Sequence, residues 1–455
     1  MRLTTWLSAW LCAASLAAGE LPPLVLPAGV GVNIHFTRDH ARDLDLIAAA
    51  GFKFVRMDFG WSGVERSRDT YDWSAYDDLT ANLERRGLRA IYILDYSNPL
   101  YETEVVSRNP LTHAEQRDTA SPRHPESVAA FARWAAAAAR HFRGHRIIWE
   151  VWNEPNISFW KPAPDVRQYR TLALATCRAL READPTATII GPASSTFPLE
   201  FLTGFFEAGV LQYLDAVSVH PYRPYRKPPE TVLEDYRKLR ALLRRYLPAG
   251  KRPMPIISGE WGYASHNRGV SPETQAAFLV RQQLVNLLAG VPLSIWYDWK
   301  NDGPDPAEGE HNFGTVTADL QPKPAYRAVQ VLVRELAGYH VARQLATGSK
   351  EDYVVVCADR TGAEKLAVWT TGSPHRVTLA ARFKRHWLVN LHTGTGQRFT
   401  ASQEGAEGHG VAPAASPAPL QLTPAGVVLE LTPMPGFVAL RGVRLRTPAL
   451  KPGPG

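Results

Sequence analysis

Arg146-Ile147-Ile148-Trp149-Glu150-Val151-Trp152-Asn153-Glu154-Pro155 is the stretch from which the rest of the chain can be ordered. Its first seven residues have the length and β-branched, aromatic content of a buried strand. Pro155 removes a backbone donor and stops the ladder. Asn153 and Glu154 therefore stand side by side at a strand mouth. A carboxyl there can protonate a leaving group, but the same residues also punctuate ordinary turns.

Working outward, short apolar runs alternate with amphipathic helical patterns from about Leu26 to Gly338, the signature of repeated βα units and a parallel sheet. With 146–152 as the fourth strand, the others fall at 30–35, 52–59, 88–95, 187–191, 215–220, 254–259 and 292–297. Helical patterns cover 41–50, 76–87, 125–142, 165–183, 229–246, 272–288 and 325–336, and long polar loops run over 96–124 and 300–317. Pro125 at a first helical position and Gly144 past the end are proper start and stop signals. Eight such units in one run predict a (β/α)8 TIM barrel, an α/β fold. An open doubly wound sheet is the competing arrangement, but no Gly-rich turn follows the first strand, so dinucleotide binding has no support.

After Gly338 only short strands are expected, at 353–358, 365–370, 376–379, 387–391, 427–431 and 437–441, which reads as a small C-terminal β-sandwich. Residues 401–419 are Gly/Ala/Pro/Ser-rich. The expected layout is a signal peptide over 1–19, a barrel over 20–338, a β-sandwich over 339–446 and a disordered tail over 447–455. The leader assignment rests on Arg2, the apolar run Leu3 to Leu16 and the small residues before Gly19, and it implies a secreted or periplasmic protein. The run is short for a spanning helix, and no other segment reads as one, so no membrane contact is expected after cleavage.

The length, 455 residues, suits one barrel plus a smaller domain, and 45% hydrophobic with 21% charged residues is globular. After removal of a leader only Cys177 and Cys357 remain, in different domains, and both read as small buried apolar residues. The net charge of +7 is spread along helices without a nucleic-acid motif, so no nucleic-acid partner is expected.

Barrel chemistry sits at the C-terminal ends of the strands. Reading those ends gives Arg56 with Asp58 on the same side, Asn153 and Glu154, His220 and Tyr222, Glu260, and Trp296. Glu154 and Glu260 end the fourth and seventh strands, on opposite sides of an eight-membered ring. Glycoside hydrolysis needs such a pair, one carboxyl protonated and one ionised, and a separation of roughly 5 to 5.5 Å gives a covalent intermediate and retention. Arg56 could hold Glu260 ionised, Tyr222 could donate to it, and the apolar wall beside Trp152 could keep Glu154 protonated. These residues leave the roles exchangeable. Each also has a plain structural reading: Arg56 paired with Glu150 or Asp58, His220 bracing the wall, Trp296 packed in the core.

The Trp-Asn-Glu-Pro and His-Pro-Tyr motifs, with Glu260 on the seventh strand, resemble the clan A glycoside hydrolases and are similar to families 39 and 5 over roughly 300 residues. The resemblance implies Glu154 as acid/base, Glu260 as nucleophile, Asn153 on the sugar 2-hydroxyl, and Trp296 as a platform under the sugar. Arg56, His220 and Tyr222 match the clan's other site positions. Asp95 departs from family 5, which usually carries a His at the end of the third strand.

The expectation is a secreted retaining glycosidase acting on oligo- or polysaccharides by double displacement, with no metal or organic cofactor. A uronide-active glycosidase is the alternative within enzymes, from the basic loop residues Arg223, Arg226 and Lys227. A catalytically inactive carbohydrate-binding barrel is the alternative outside them. Trp61, Trp160, Trp261 and Tyr263 are further candidates for flanking subsites, and Asp302 to Glu310 reads as a solvated loop, since its spacing fits no calcium loop.

Overall fold

The computed structural model describes residues 20–108, 115–224, 227–402 and 419–450. The leader segment, Arg226 and most of the 401–419 stretch lie outside the described residues. Among the described residues no helix is long and apolar enough to cross a membrane.

Eight parallel strands close into a barrel: β1 (Val30–Asn33), β2 (Phe54–Gly60), β3 (Arg89–Asp95), β4 (Ile148–Val151), β5 (Thr188–Ser195), β6 (Ala216–His220), β7 (Ile256–Trp261) and β8 (Ser294–Trp296). They pair in ring order β1-β8-β7-β6-β5-β4-β3-β2, closed where β1 meets both β8 (Val32 opposite Trp296) and β2 (Asn33 opposite Arg56). A helix follows each strand: α1 (Ala41–Ala50), α2 (Ser74–Glu84), α3 (Pro125–His141), α4 (Val166–Ala183), α5 (Leu199–Phe206), α6 (Val232–Tyr246), α7 (Pro272–Leu288) and α8 (Pro324–Leu336). The TIM-barrel expectation therefore holds, and α5 is an addition to it. It is only eight residues long, with Glu200 and Thr203 as its polar members, so its buried stripe of Leu202, Phe205 and Phe206 stands out little in the sequence. The 96–124 loop also holds more order than expected, a hairpin of Glu104–Arg108 against Glu115–Thr119.

Strand alternation sorts the barrel side chains into two sets. Phe54, Ile91, Ile148, Ile190, Ala216, Ile257, Leu293 and Ile295 meet inside the barrel as one apolar plug. Two residues further along the strands, the inward layer turns polar: Arg56, Glu150, Ser218 and Gly259. Gly259 is required there, because an added Cβ would press on Ser218 Oγ and lie 3.1 Å from Glu150 Oε1. The outward set, including Val55, Tyr92, Trp149, Ile189, Val217 and Trp296, packs against the helices in the main core.

The chain then builds an antiparallel domain from β9 (His340–Leu345), β10 (Asp352–Ala358), β11 (Glu364–Thr370), β12 (His375–Thr393), β13 (Arg398–Ser402), β14 (Leu420–Thr423), β15 (Gly426–Leu431) and β16 (Gly436–Leu445). The strand order is β9-β10-β11-β16-β12-β15-β14, with β13 also on β12. Strand β12 joins what the sequence reads as two runs: its first part pairs with β15 and its second with β16, so one long strand serves both sides of the β-sandwich. Leu345, Val354, Val389, Leu429 and Val438 belong to its separate core. The domain is tied to the barrel by a buried pair. Arg281 on α7 contacts Glu230 at 2.6 Å, and Trp369 Nε1 on β11 donates to the same carboxylate at 2.7 Å. Cys177 and Cys357 are free and buried, and burial pushes each thiol up to about 12.

Candidate active site

Arg56 is the centre of the polar layer. It is 1% exposed and points up the barrel axis from β2. Its Nε donates to Glu150 at 2.6 Å, Nη1 to Glu260 at 2.6 Å and to Asn33 at 3.2 Å, and Nη2 to Asn153 at 2.8 Å. Nη2 also lies 3.3 Å from His220 Nε2. Burial works against its charge, but Glu150 and Glu260 more than offset that, so the guanidinium is held above its ordinary value. Both expected readings of Arg56 thus coexist: it is an interior ion pair with Glu150 and a contact of Glu260.

Glu260 leaves β7 with its carboxylate between two donors, Arg56 and the Tyr222 hydroxyl at 2.8 Å. Burial raises its proton affinity. Electrostatic interaction with His220 and Arg56 and the hydrogen bonds from Tyr222 and Arg56 outweigh it, and Glu260 lies below the ordinary glutamate value. Tyr222 itself is pushed well above the phenol range by burial and by the Glu260 charge, so it stays a donor.

Glu154 follows β4 in a strained stretch. Trp152 and Glu154 both have left-handed backbone angles, φ 67° and 43°, which side-chain-bearing residues rarely adopt. Neighbouring strands hold them there, through Trp152 N to Leu94 O at 3.1 Å and Glu154 N to Ala193 O at 3.0 Å. The Glu154 carboxyl is buried, with Oε1 3.0 Å from His220 Nδ1. Because arginine can only donate, His220 Nε2 accepts from Arg56, which assigns the proton to Nδ1 and makes it a donor to Glu154. Oxygens of Glu154 and Glu260 lie within 4.8 Å of one another. The trio Glu154, His220 and Glu260 has the spacing of a cation site, but the Arg56 guanidinium already takes that place beside Glu260.

Asn153 completes the cluster, accepting from Arg56 through Oδ1 and donating through Nδ2 to the Tyr96 hydroxyl at 3.0 Å. The structure thus brings Arg56, Asn153, Glu154, His220, Tyr222 and Glu260 together. It does not bring Trp296. That ring is fully buried on the helix side of β8, with Nε1 3.3 Å from Phe313 O, and it offers no face to a sugar. Alternation gives the reason: Ile295 points into the barrel, so Trp296 points out and Tyr297 points in again. Tyr297 lines the mouth, 5.6 Å from the His35 ring and 6.5 Å from Tyr222. Trp61, Trp160 and Trp261 are likewise fully buried and stand in the core instead of in flanking subsites, whereas Tyr263, 4% exposed, lines a small cavity with Tyr222 and Phe313.

Sequence reasoning missed Tyr297, Tyr96, Asn33 and the His35–Asp298 pair at 3.4 Å. Inward parity with Gly31 and Ile295 would have found Asn33, His35 and Tyr297. Nothing in the sequence marks Tyr96. Asp95 is fully buried, and burial with the neighbouring Asp58 charge pushes its proton affinity well above the ordinary value. Burial also pushes Asp298 up to about 7, against the pull of His35.

Fold and pocket define a (β/α)8 barrel with its ionisable groups gathered at the C-terminal mouth. The model of the cellulase family, glycosyl hydrolase family 5, matches residues 28–302, and the chain belongs to that family. A β-xylosidase from Geobacillus stearothermophilus is 33% identical over 152 residues, which cover 30% of this chain and 30% of that protein. Among solved structures, a family 39 glycoside hydrolase from Bacteroides cellulosilyticus WH2 superposes with a TM-score of 0.74 at 23% identity, over 92% of this chain and 81% of the other. A monomeric β-xylosidase from Caulobacter crescentus CB15 gives 0.60 at 15% identity, over 93% and 98%. At these identities the structural likeness is one of fold.

Proposed function

We propose that the protein is a retaining glycoside hydrolase that removes β-linked xylose from xylo-oligosaccharides. The observation that carries this reading is the carboxyl pair: Glu154 and Glu260 oxygens within 4.8 Å, in unlike surroundings. That separation leaves no room for a water between acid and attacked carbon, and it suits direct attack by one carboxylate. Glu260, held ionised by Arg56 and Tyr222, is the nucleophile. Glu154 accepts from His220 on Oε1, so its other oxygen can carry the proton for the leaving group and later accept one from water. Asn153 meets the sugar 2-hydroxyl, and Tyr297 replaces Trp296 as the platform. The xylose assignment draws on the named β-xylosidase relative.

A uronide substrate has less support. Arg223 is 7% exposed and committed to Asp235 at 2.6 Å, while the acidic side chains Asp302 and Glu310 act on Tyr297 and disfavour a carboxylate there. Export is proposed with the hydrolase reading, on the leader-like pattern of residues 1–19.

Xylobiose, 4-nitrophenyl β-xyloside and the matching glucosides and glucuronides test the substrate, with NMR of the first-formed anomer testing retention. Glu260→Ala is expected to abolish turnover and Glu154→Gln to lower it by about 10²- to 10⁴-fold, with circular dichroism unchanged. Near-wild-type activity in either variant would remove the assignment, and an inverted first product would remove the double displacement.

A further inference from the structure

We propose that Phe159 is the stacking surface for a sugar ring in the leaving-group position, so that the substrate is an oligosaccharide and not a glycoside of a small alcohol. This rests on the hydrolase reading above. Phe159 is 41% exposed, and the other large apolar side chains that stand exposed among the described residues, Leu24, Val106, Leu199 and Leu450, are all aliphatic. An aromatic ring left in water forgoes a burial gain that a stacked ligand would recover.

The exposure does not come from a slack loop. On one side Asn156 exchanges two hydrogen bonds with Ser195, at 3.0 and 2.8 Å. On the other, Trp160 is buried 5.0 Å from Trp152, and Lys161 N donates to Ser121 Oγ at 2.8 Å. Lys161 also pairs with Asp118 of the hairpin at 3.0 Å, which anchors the hairpin beside this loop. The Phe159 ring lies nearly parallel to Tyr96, 5.9 Å away at 16°. Tyr96 is itself fixed, edge-on to Trp152 at 5.6 Å and bonded through its hydroxyl to Asn153. One face of Phe159 is thus backed by a ring that touches the site, while part of the residue stays open to solvent. A rigid ring of this kind binds the C–H face of a pyranose with little ordering cost.

Its side of the pocket follows from the chemistry. Glu154 must reach the glycosidic oxygen, so the loop that carries Glu154 runs beside the leaving group. Phe159 lies five residues along that loop. Tyr297 and Glu260 occupy the opposite wall, on β8 and β7, where the bound sugar that is attacked would lie.

The test compares xylobiose, whose leaving group is a ring, with methyl β-xyloside, whose leaving group is not; both need the same proton donor. Phe159→Ala is expected to lower kcat/KM on xylobiose by about tenfold, mainly through KM, and to leave methyl β-xyloside within about twofold. Phe159→Trp is expected to keep the xylobiose rate. An equal fall on both substrates would show a merely structural role, and no fall on xylobiose would remove the subsite; either overturns the proposal. If wild-type protein acts on glucosides alone, cellobiose and methyl β-glucoside make the same comparison. Wild-type protein inert toward all four would overturn the hydrolase reading first, and this inference with it.

Discussion

Tyr222 is a single hydroxyl whose removal should separate two effects at Glu260. In Tyr222→Phe the carboxylate loses a donor at 2.8 Å but keeps Arg56. The hydrogen bond is one of the influences that lower Glu260, so its loss must raise that carboxyl's proton affinity. The acid limb of kcat/KM against pH is then expected to move to higher pH, with kcat/KM at neutral pH falling by roughly tenfold or more. An acid limb that stays in place would show that Tyr222 does not bear on the ionisation of Glu260. The linkage has a matching sign: Glu260 is depressed in the folded protein, so the stability it adds is present at neutral pH and is lost as pH falls through its folded value. At this scale the sequence was legible wherever a motif named the residue, as for Asn153, Glu154 and Glu260. It failed at Trp296, a strand-end residue whose parity with the inward Ile295 turns it toward the helices. Tyr96 was beyond reach, because its place depends on how the loop after β3 folds over Asn153.

At the scale of elements, period and punctuation located all eight barrel strands, and α1 and α7 to the residue. The hairpin in the 96–124 loop escaped because its second strand, Glu-Gln-Arg-Asp-Thr, has no apolar member and pairs through backbone and charge, as in Arg117 with Glu104 at 2.5 Å. Strand β7 carries a requirement that pattern alone does not show. Gly259 faces Ser218, Glu150 and His220 across the polar layer. Gly259→Ala should destabilise the fold by about 1–3 kcal/mol through overpacking and disturb Glu260 next to it. Chemical denaturation and activity should fall together; a neutral substitution would mean that the polar layer has room to yield.

Across the whole molecule, the change from alternating βα units to strands alone marked where the architecture changes, but not how the two parts adhere. That depends on Glu230, Arg281 and Trp369, which lie far apart in sequence and meet only in the folded chain. Glu230→Gln would leave the buried Arg281 without a counter-charge, a change that costs about 3–5 kcal/mol when a buried pair is broken. A lower Tm is expected, with kcat per folded molecule kept, because the pair lies away from the carboxyls. An unchanged Tm would show that the sandwich adds nothing to the barrel's stability through this contact.

Arg56 touches groups from β1, β4, β6 and β7 while itself belonging to β2. Its charge is the shared counter-ion of Glu150 in the barrel's interior and of Glu260 at its mouth. Closing the barrel and supplying Glu260 with its counter-charge are therefore one event, and an open barrel leaves that carboxylate without Arg56. Alteration of the mouth loops can redirect the protein to other sugars without touching that event, whereas no alteration at Arg56 can change the chemistry and spare the fold.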